Sequence, residues 1–373
     1  MKIIEPSIGA EELNAVREVL ESGFLTQGPK TAEFEKLVAA YSGSSFGHAT
    51  SSATTGLHLA LQVLGVGKGD EVILPDFSFP ATANVVVQLG ATPIFVDIAL
   101  DTFNIDASKI EAKITSKTKA IMPVHAFGLC ADMDPILSLA KRHGIPVLED
   151  AACALGATYK GIGAGNLGAM GVFSFHPRKV ITTGEGGMIV TDDSAISQQL
   201  AILRTHGAVR DELYLRFEEC GFNYRLSDIN SAIGVVQMSK LDSILQGRRT
   251  VALKYNSLLS GIPQLTIPAE PMNLRHSYQS YVVLLDENID RNLVITNMRK
   301  AGIETTLGTY SMHLQPAFKK LYQLSDDDFP NATIAHHQCL TLPLSHRYID
   351  DDLASVVTEL KKAIQISTRI SVL

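Results

Sequence analysis

Between about residues 45 and 195 the chain alternates short apolar runs with helix signals, and this alternation constrains the fold more than any other feature. The runs EVILP (71–75), TPIFVDI (92–98), AIMPVHAF (120–127), IPVLED (145–150), MGVFSF (170–175) and GMIVTD (187–192) read as strands. Several are apolar almost throughout, as strands covered by helices on both faces must be. Ser52 is placed to cap a helix whose positions Leu57, Ala60, Leu61 and Leu64 form one apolar stripe. Asp132 to Gly144 reads as a second helix, capped at Asp132 and stopped at Gly144. The alternation predicts an α/β fold with a large, doubly wound, mostly parallel sheet.

Residues Phe77 to Val96 carry no charge and match the length of a bilayer span. Pro80, Asn84, Gln88, Gly90 and Pro93 interrupt them, so the stretch predicts a helix stopped by Gly90 and then a buried strand, with no membrane span. Past residue 195 the chain becomes more helical and more charged. KLDSILQGRRTVALKYNSLL (240–259) reads as a long amphipathic helix, YQSYVVLL (278–285) as a strand, and residues 351–366 as a last helix. The expected division is a large α/β domain over residues 1–245, including an N-terminal arm, and a smaller α+β domain over 246–373.

With 46% hydrophobic and 19% charged residues, the composition is that of a folded, soluble protein. A net charge of -7 disfavours a nucleic-acid binder. Cys130, Cys153, Cys220 and Cys339 form no C-x-x-C pair, which argues against a zinc site or disulfide framework and for a reducing compartment. MKIIEPSIGAEEL lacks the apolar centre of a secretory signal, so a cytoplasmic location is expected. His336 and His337 are neighbours that face apart in a helix, and both are expected at the surface.

Four features carry chemistry. In SFHPRKVITTGEGG, Lys179 lies in a loop between two buried strands, after Pro177 and before Gly184, Gly186 and Gly187. Loop lysines are ordinarily solvated charges; one desolvated beside a glycine cluster has an amine free for carbonyl chemistry. Asp150 ends the strand IPVLED, and ligands of open α/β sheets bind outside the carboxyl ends of strands. Glu149 beside it reads as a carboxylate capping the following turn. The helix start at Ser52-Ala53-Thr54-Thr55-Gly56 offers free amides and a dipole to a phosphate. Phe79, just past EVILP, offers a ring for stacking. An amine, a carboxylate, a phosphate cradle and a ring are what pyridoxal phosphate requires.

FLTQGPKTAEFE (24–35), SSATTGLHLAL (51–61), GDEVILPDFSFPATAN (69–84), VHAFG (124–128), EDAA (149–152), FSFHPRK (173–179), TTGEGGMIVT (182–191), GFNYRLSDI (221–229) and HLQPAF (313–318) occur in that order. Over nearly its whole length the chain resembles the DegT/StrS-type sugar aminotransferases, a branch of the aspartate aminotransferase superfamily with the fold of type I pyridoxal-phosphate enzymes. The resemblance implies that Lys179 is the Schiff-base lysine, that Asp150 pairs with the pyridine nitrogen and that Phe79 stacks on the ring. It assigns Ala53, Thr54 and Ser174 to the phosphate, and Asn223 to the phosphate of a neighbouring subunit, hence a homodimer with shared active sites. His313, with Tyr310 just before it, would lie near the substrate. Cys153 stands where the family commonly has Gln or His near the cofactor's 3-hydroxyl, and a thiol is a weak hydrogen-bond partner.

The implied activity moves an amino group from an amino acid, glutamate in the family, onto a nucleotide-linked keto-sugar in amino-sugar and polysaccharide biosynthesis. FLTQGP favours C4 over C3 as the site of amination. Sugar dehydration on the same cofactor is a competing reading, which the intact lysine opposes, since a relative with histidine there dehydrates its sugar. A non-catalytic sensor would not need both Lys179 and Asp150. A nicotinamide dehydrogenase would need a G-x-G-x-x-G followed about 20 residues later by an acidic residue, and the chain has none.

Overall fold

The computed structural model describes residues 1–368. Its central sheet contains β1 (Phe46–Thr50), β2 (Glu71–Pro75), β3 (Thr92–Val96), β4 (Thr118–Ile121), β5 (Leu148–Asp150), β6 (Met170–Ser174) and β7 (Gly187–Thr191). Their order is β1–β7–β6–β5–β4–β2–β3, the β5–β4 join being made by the parallel bridges Ile121–Val147 and Val124–Asp150. Every neighbouring pair is parallel except those of β7, which runs antiparallel to both β1 and β6. Residues 175–186, which carry Lys179, contain no helix to cross the sheet, so β7 has to return antiparallel.

The helices of this part of the chain begin with α1 (Ala10–Ser22) and include α4 (Ala81–Gln88), and side-chain alternation along the strands builds two cores. Val72, Leu74, Val172 and Ile189 face α3 (Ala53–Val63) and α6 (Ser194–Leu203). Ile73, Phe173, Met188 and Val190 face the side of α2 (Pro29–Ser42) and α5 (Met133–His143). The uncharged stretch resolves as expected into a helix (Ala81–Gln88), Gly90 in the left-handed region at φ +77°, and β3.

Two helix ends differ from the sequence reading. Gly144 stops α5 with φ +65°, but the Asp132 carboxylate does not cap it; Oδ1 accepts the Tyr159 hydroxyl at 2.7 Å instead. The long helix, Asp228–Leu259, begins at Asp228 rather than Lys240. Its first turns bury small and polar residues (Ser231, Ala232, Gly234), with the Phe34 ring only 2.7 Å from where a Cβ on Gly234 would be. No apolar stripe marks such a surface, so periodicity missed it. Asp228, buried at the start of this helix, accepts from the amides of Gly28 (2.7 Å), Lys30 (3.1 Å) and Thr31 (3.0 Å), and so caps α2 from outside.

The expected boundary at residues 245 and 246 lies inside this helix, which leaves the central core at Leu245 and enters a C-terminal one at Val251. The C-terminal sheet orders the strands Leu265–Thr266, Tyr281–Leu285, Cys339–Leu342 and Thr306–Leu307, all antiparallel. Helices Arg291–Lys300 and Asp350–Ser367 pack with it through Val294, Val356 and Leu360. Met312, Phe318 and Phe329 pack instead into the core of the large sheet. His337 is exposed, but His336 is half-buried, because its helix lies on the strand Tyr310–Ser311. The Ser311 amide donates to His336 Nδ1 at 3.2 Å, and burial, with His337 and Arg291 nearby, holds its pKa down to about 4. Among the described residues no helix is long and apolar enough to cross a membrane.

Candidate active site

The carboxyl edge of the central sheet gathers most of the residues singled out by sequence. β5 ends in Asp150, β6 ends in Ser174 and leads into the lysine loop, β1 leads into α3, and β2 leads into Phe77–Ser78 and then Phe79. Lys179 Nζ donates to Cys153 Sγ at 3.0 Å, so the loop lysine reaches back to the turn that follows Asp150. Its backbone is fixed as well, since the Lys179 amide donates to the His176 carbonyl at 2.9 Å.

Asp150 is buried. Thr82 Oγ1 donates to its Oδ2 at 2.7 Å, Ser78 Oγ lies 2.8 Å from that hydroxyl, and the Ala152 amide donates to Oδ1 at 3.2 Å. Burial pushes the Asp150 pKa up, while Thr82, Ala152 and the charge of Lys179 pull it back. Among the described residues it has no ion-pair partner within 4.0 Å. No local signal marks the Thr82 contact, although Thr82 lies in the same PDFSFPAT segment as Phe79. Glu149 does not cap the following turn. It is fully buried, accepts from the amides of Gly165, Leu167 and Gly168 (2.7 Å each), and faces His125 Nε2 at 2.8 Å. Because the Ala131 amide donates to His125 Nδ1 at 3.1 Å, the His125 proton is on Nε2 and goes to Glu149. This pair stiffens the strand end from which Asp150 projects.

The start of α3, where a phosphate is expected, has two amides without partners among the described residues. Ser52 caps α3 by accepting the Thr55 amide, and the Ala53 and Thr54 amides donate to no carbonyl or side chain among the described residues. Thr50, Gly187 and Ser174 form one row across β1, β7 and β6, which puts Ser174 next to the α3 start. A Cβ on Gly187 would lie 2.5 Å from Ser52 C and 2.6 Å from Ala53 N, so only glycine lets β7 approach this helix end. Gly187→Ala is therefore expected to shift the α3 start and weaken phosphate-group capture by about tenfold or more, equivalent to about 1.4 kcal/mol. Absorbance titration of the apoprotein with pyridoxal phosphate measures this directly.

Phe79 keeps 66% of its surface exposed, so its ring is not used up by core packing. Asn223 is exposed, in a segment held beside the α3 start by the Ser51 amide, which donates to the Tyr224 carbonyl at 2.9 Å. Tyr310 pairs in register with Ser78, next to Phe79. His313 is placed differently. It is wholly buried, with Nδ1 2.6 Å from Asp76 Oδ2 and Nε2 3.0 Å from Thr333 Oγ1, so its ring is engaged inside the protein.

A buried carboxylate with no ion-pair partner among the described residues, an amine at the adjacent strand end, helix amides without partners among the described residues and an exposed aromatic ring are groups that could hold pyridoxal phosphate. Comparison with known proteins agrees. GDP-perosamine synthase of Caulobacter vibrioides is 39% identical over 368 residues, covering 98% of each chain. The spore coat polysaccharide biosynthesis protein SpsC of Bacillus subtilis is 38% identical over 373 residues, covering 96% of each. The putative sugar aminotransferase Spr1654 from Streptococcus pneumoniae, in its PMP form, superposes with a TM-score of 0.94 at 30% identity, covering 98% of this chain and 100% of the other; its PLP form superposes equally well. The DegT/DnrJ/EryC1/StrS aminotransferase family model matches residues 6–361: the chain belongs to that family and is a pyridoxal-phosphate-dependent sugar aminotransferase.

Proposed function

We propose that the enzyme carries the amino group of glutamate to C4 of a nucleotide-linked 4-keto sugar, with Lys179 as its reactive amine. The observation carrying this reading is the convergence of Lys179 and Asp150 at one sheet edge, close enough for the lysine charge to stabilise the carboxylate. When bound, pyridoxal phosphate supplies an electron sink for the charge left as a proton leaves the amino-bearing carbon. Asp150 would keep the proton on the ring nitrogen, the α3 amides with Ser174 would hold the phosphate, and Phe79 would stack on the ring. Lys179 Nζ takes the proton from the donor's α-carbon and, in the sugar half of the cycle, delivers one to the carbon being aminated.

A relative named for a GDP-linked product and another named for spore coat polysaccharide support a nucleotide sugar and a role in polysaccharide biosynthesis. The preference for C4 and for glutamate rests on the family resemblance of segments such as FLTQGP. A homodimer is supported by the exposed apolar residues Leu213, Tyr214, Leu215 and Phe217 on the hairpin of strands Ala208–Arg210 and Leu215–Phe217, a surface better suited to a second subunit than to water. In such a dimer Asn223 would serve the partner's phosphate, and the free cysteines accord with a reducing cytoplasm.

A panel of nucleotide-linked 4-keto and 3-keto hexoses, each supplied with glutamate, is expected to give 2-oxoglutarate release with a 4-keto substrate. Release only with 3-keto sugars, or no release from glutamate while another amino donor yields its own 2-oxo acid and the amino sugar, would overturn the corresponding part of the proposal.

A further inference from the structure

The peptide joining Arg178 to Lys179 is held at both ends. Its N–H, that of Lys179, donates to the His176 carbonyl within the loop. Its carbonyl, that of Arg178, accepts the side-chain amide of Gln279 at 2.8 Å, a donor 101 residues away in the C-terminal part of the chain. Two bonds on one peptide plane fix its orientation, and with it the direction in which the Lys179 side chain leaves the backbone.

Gln279 is itself anchored. Its carbonyl accepts Arg248 Nη2 at 2.6 Å, while Arg248 Nε donates to the Tyr278 carbonyl at 2.9 Å and Nη1 to the Leu344 carbonyl at 3.2 Å. Arg248 is buried and has no carboxylate among the described residues within ion-pair reach; burial pushes its pKa down to about 10, so it stays charged at neutral pH. A buried guanidinium satisfied only by carbonyls costs desolvation, and its rigid fork orients those carbonyls. Tyr278 has φ +49° and faces Phe127 at φ +56°, two left-handed residues without glycine's freedom. The segments are joined where the Ser277 amide donates to the Gly128 carbonyl (2.9 Å) and the Ser280 amide to the Phe127 carbonyl (3.2 Å). A Cβ on Gly128 would fall 2.9 Å from Gln279 N and 3.1 Å from the Cys153 carbonyl. Gln279 therefore holds the backbone at Lys179 through Arg178, and the Gly128 turn beside it lies close to the Cys153 backbone.

Backbone strain maintained by surrounding contacts marks functional segments. We propose that Gln279 is a positioning residue for Lys179, and that Arg248 and the strained turn at Tyr278 transmit to it the placement of the C-terminal sheet. The functional half of this inference rests on Lys179 being the reactive amine; the structural half does not.

Gln279→Met keeps the length and removes the donor. In the apoprotein, amide hydrogen exchange across residues 176–183 is expected to rise about tenfold, with exchange across 350–367 unchanged. In the loaded enzyme kcat is expected to fall about tenfold with KM for the sugar nucleotide within about twofold. Gln279→His, which returns an N–H at similar reach, is expected to recover most of both. Unchanged exchange and kcat in Gln279→Met, a rise in exchange across the whole chain, or a Gln279→His protein as impaired as Gln279→Met overturns the proposal. Should Lys179→Ala retain turnover, the reactive-amine reading fails while the exchange result still decides whether Gln279 holds the loop.

Discussion

Lys179→Ala is expected to lower turnover on the order of 10^4-fold, the upper range for losing a positioned acid–base group. The lysine loop brings this amine against the turn that follows Asp150, and its Cys153 neighbour is a weak donor that cannot replace it. The loss is expected in kcat and not in folding. Lys179 is only partly buried and makes no ion pair within 4.0 Å among the described residues, so the melting temperature of the apoprotein should move little. Added small primary amines are expected to restore part of the activity, because they return a base without a backbone attachment. Steady-state kinetics and thermal unfolding on the same preparation separate these effects. Turnover near that of the unaltered enzyme would remove Lys179 from the chemistry.

Asp150→Asn is expected to cost about 10^2- to 10^3-fold in kcat, the range for removing one preorganised electrostatic partner. It also has a signature in the absence of cofactor. Burial raises the Asp150 pKa in the folded protein above its unfolded value. Between those two values the folded state binds more protons than the unfolded chain, so the contribution of this group to stability falls as pH rises through the window and is regained on acidification. At neutral pH the apoprotein keeps a desolvated carboxylate, partly offset by the hydrogen bonds from Thr82 and Ala152 and by Lys179 and His125 nearby. Asp150→Asn is therefore expected to leave the neutral apoprotein at least as stable as the unaltered one, and to flatten its stability gain between neutral pH and the ordinary carboxylate range. Thermal unfolding of both apoproteins across that range checks this. A less stable Asp150→Asn apoprotein at neutral pH would mean that the carboxylate is well solvated by its hydrogen bonds.

Local signals in the chain determined much of this protein. EVILP coincides with β2, and the ends at Gly90 and Gly144 and the cap at Ser52 follow from residue type, because burial of both strand faces and left-handed turns leave marks within a few residues. Lys179, Asp150 and Phe79 were legible because each lies at a strand end whose position the periodicity reveals. Tertiary structure alone decided what holds them. Thr82 reaches Asp150 across 68 residues, Asp228 caps α2 across about 200, and Gln279 grips the Arg178 carbonyl across 101. His313, expected near substrate, is turned inward by Asp76, which is 237 residues away in sequence. Periodicity records only which face of an element is buried. Hydrogen bonds between remote segments depend on where the backbone travels in three dimensions, and a donor such as Gln279 has the same local sequence signature whether it faces water or the lysine loop.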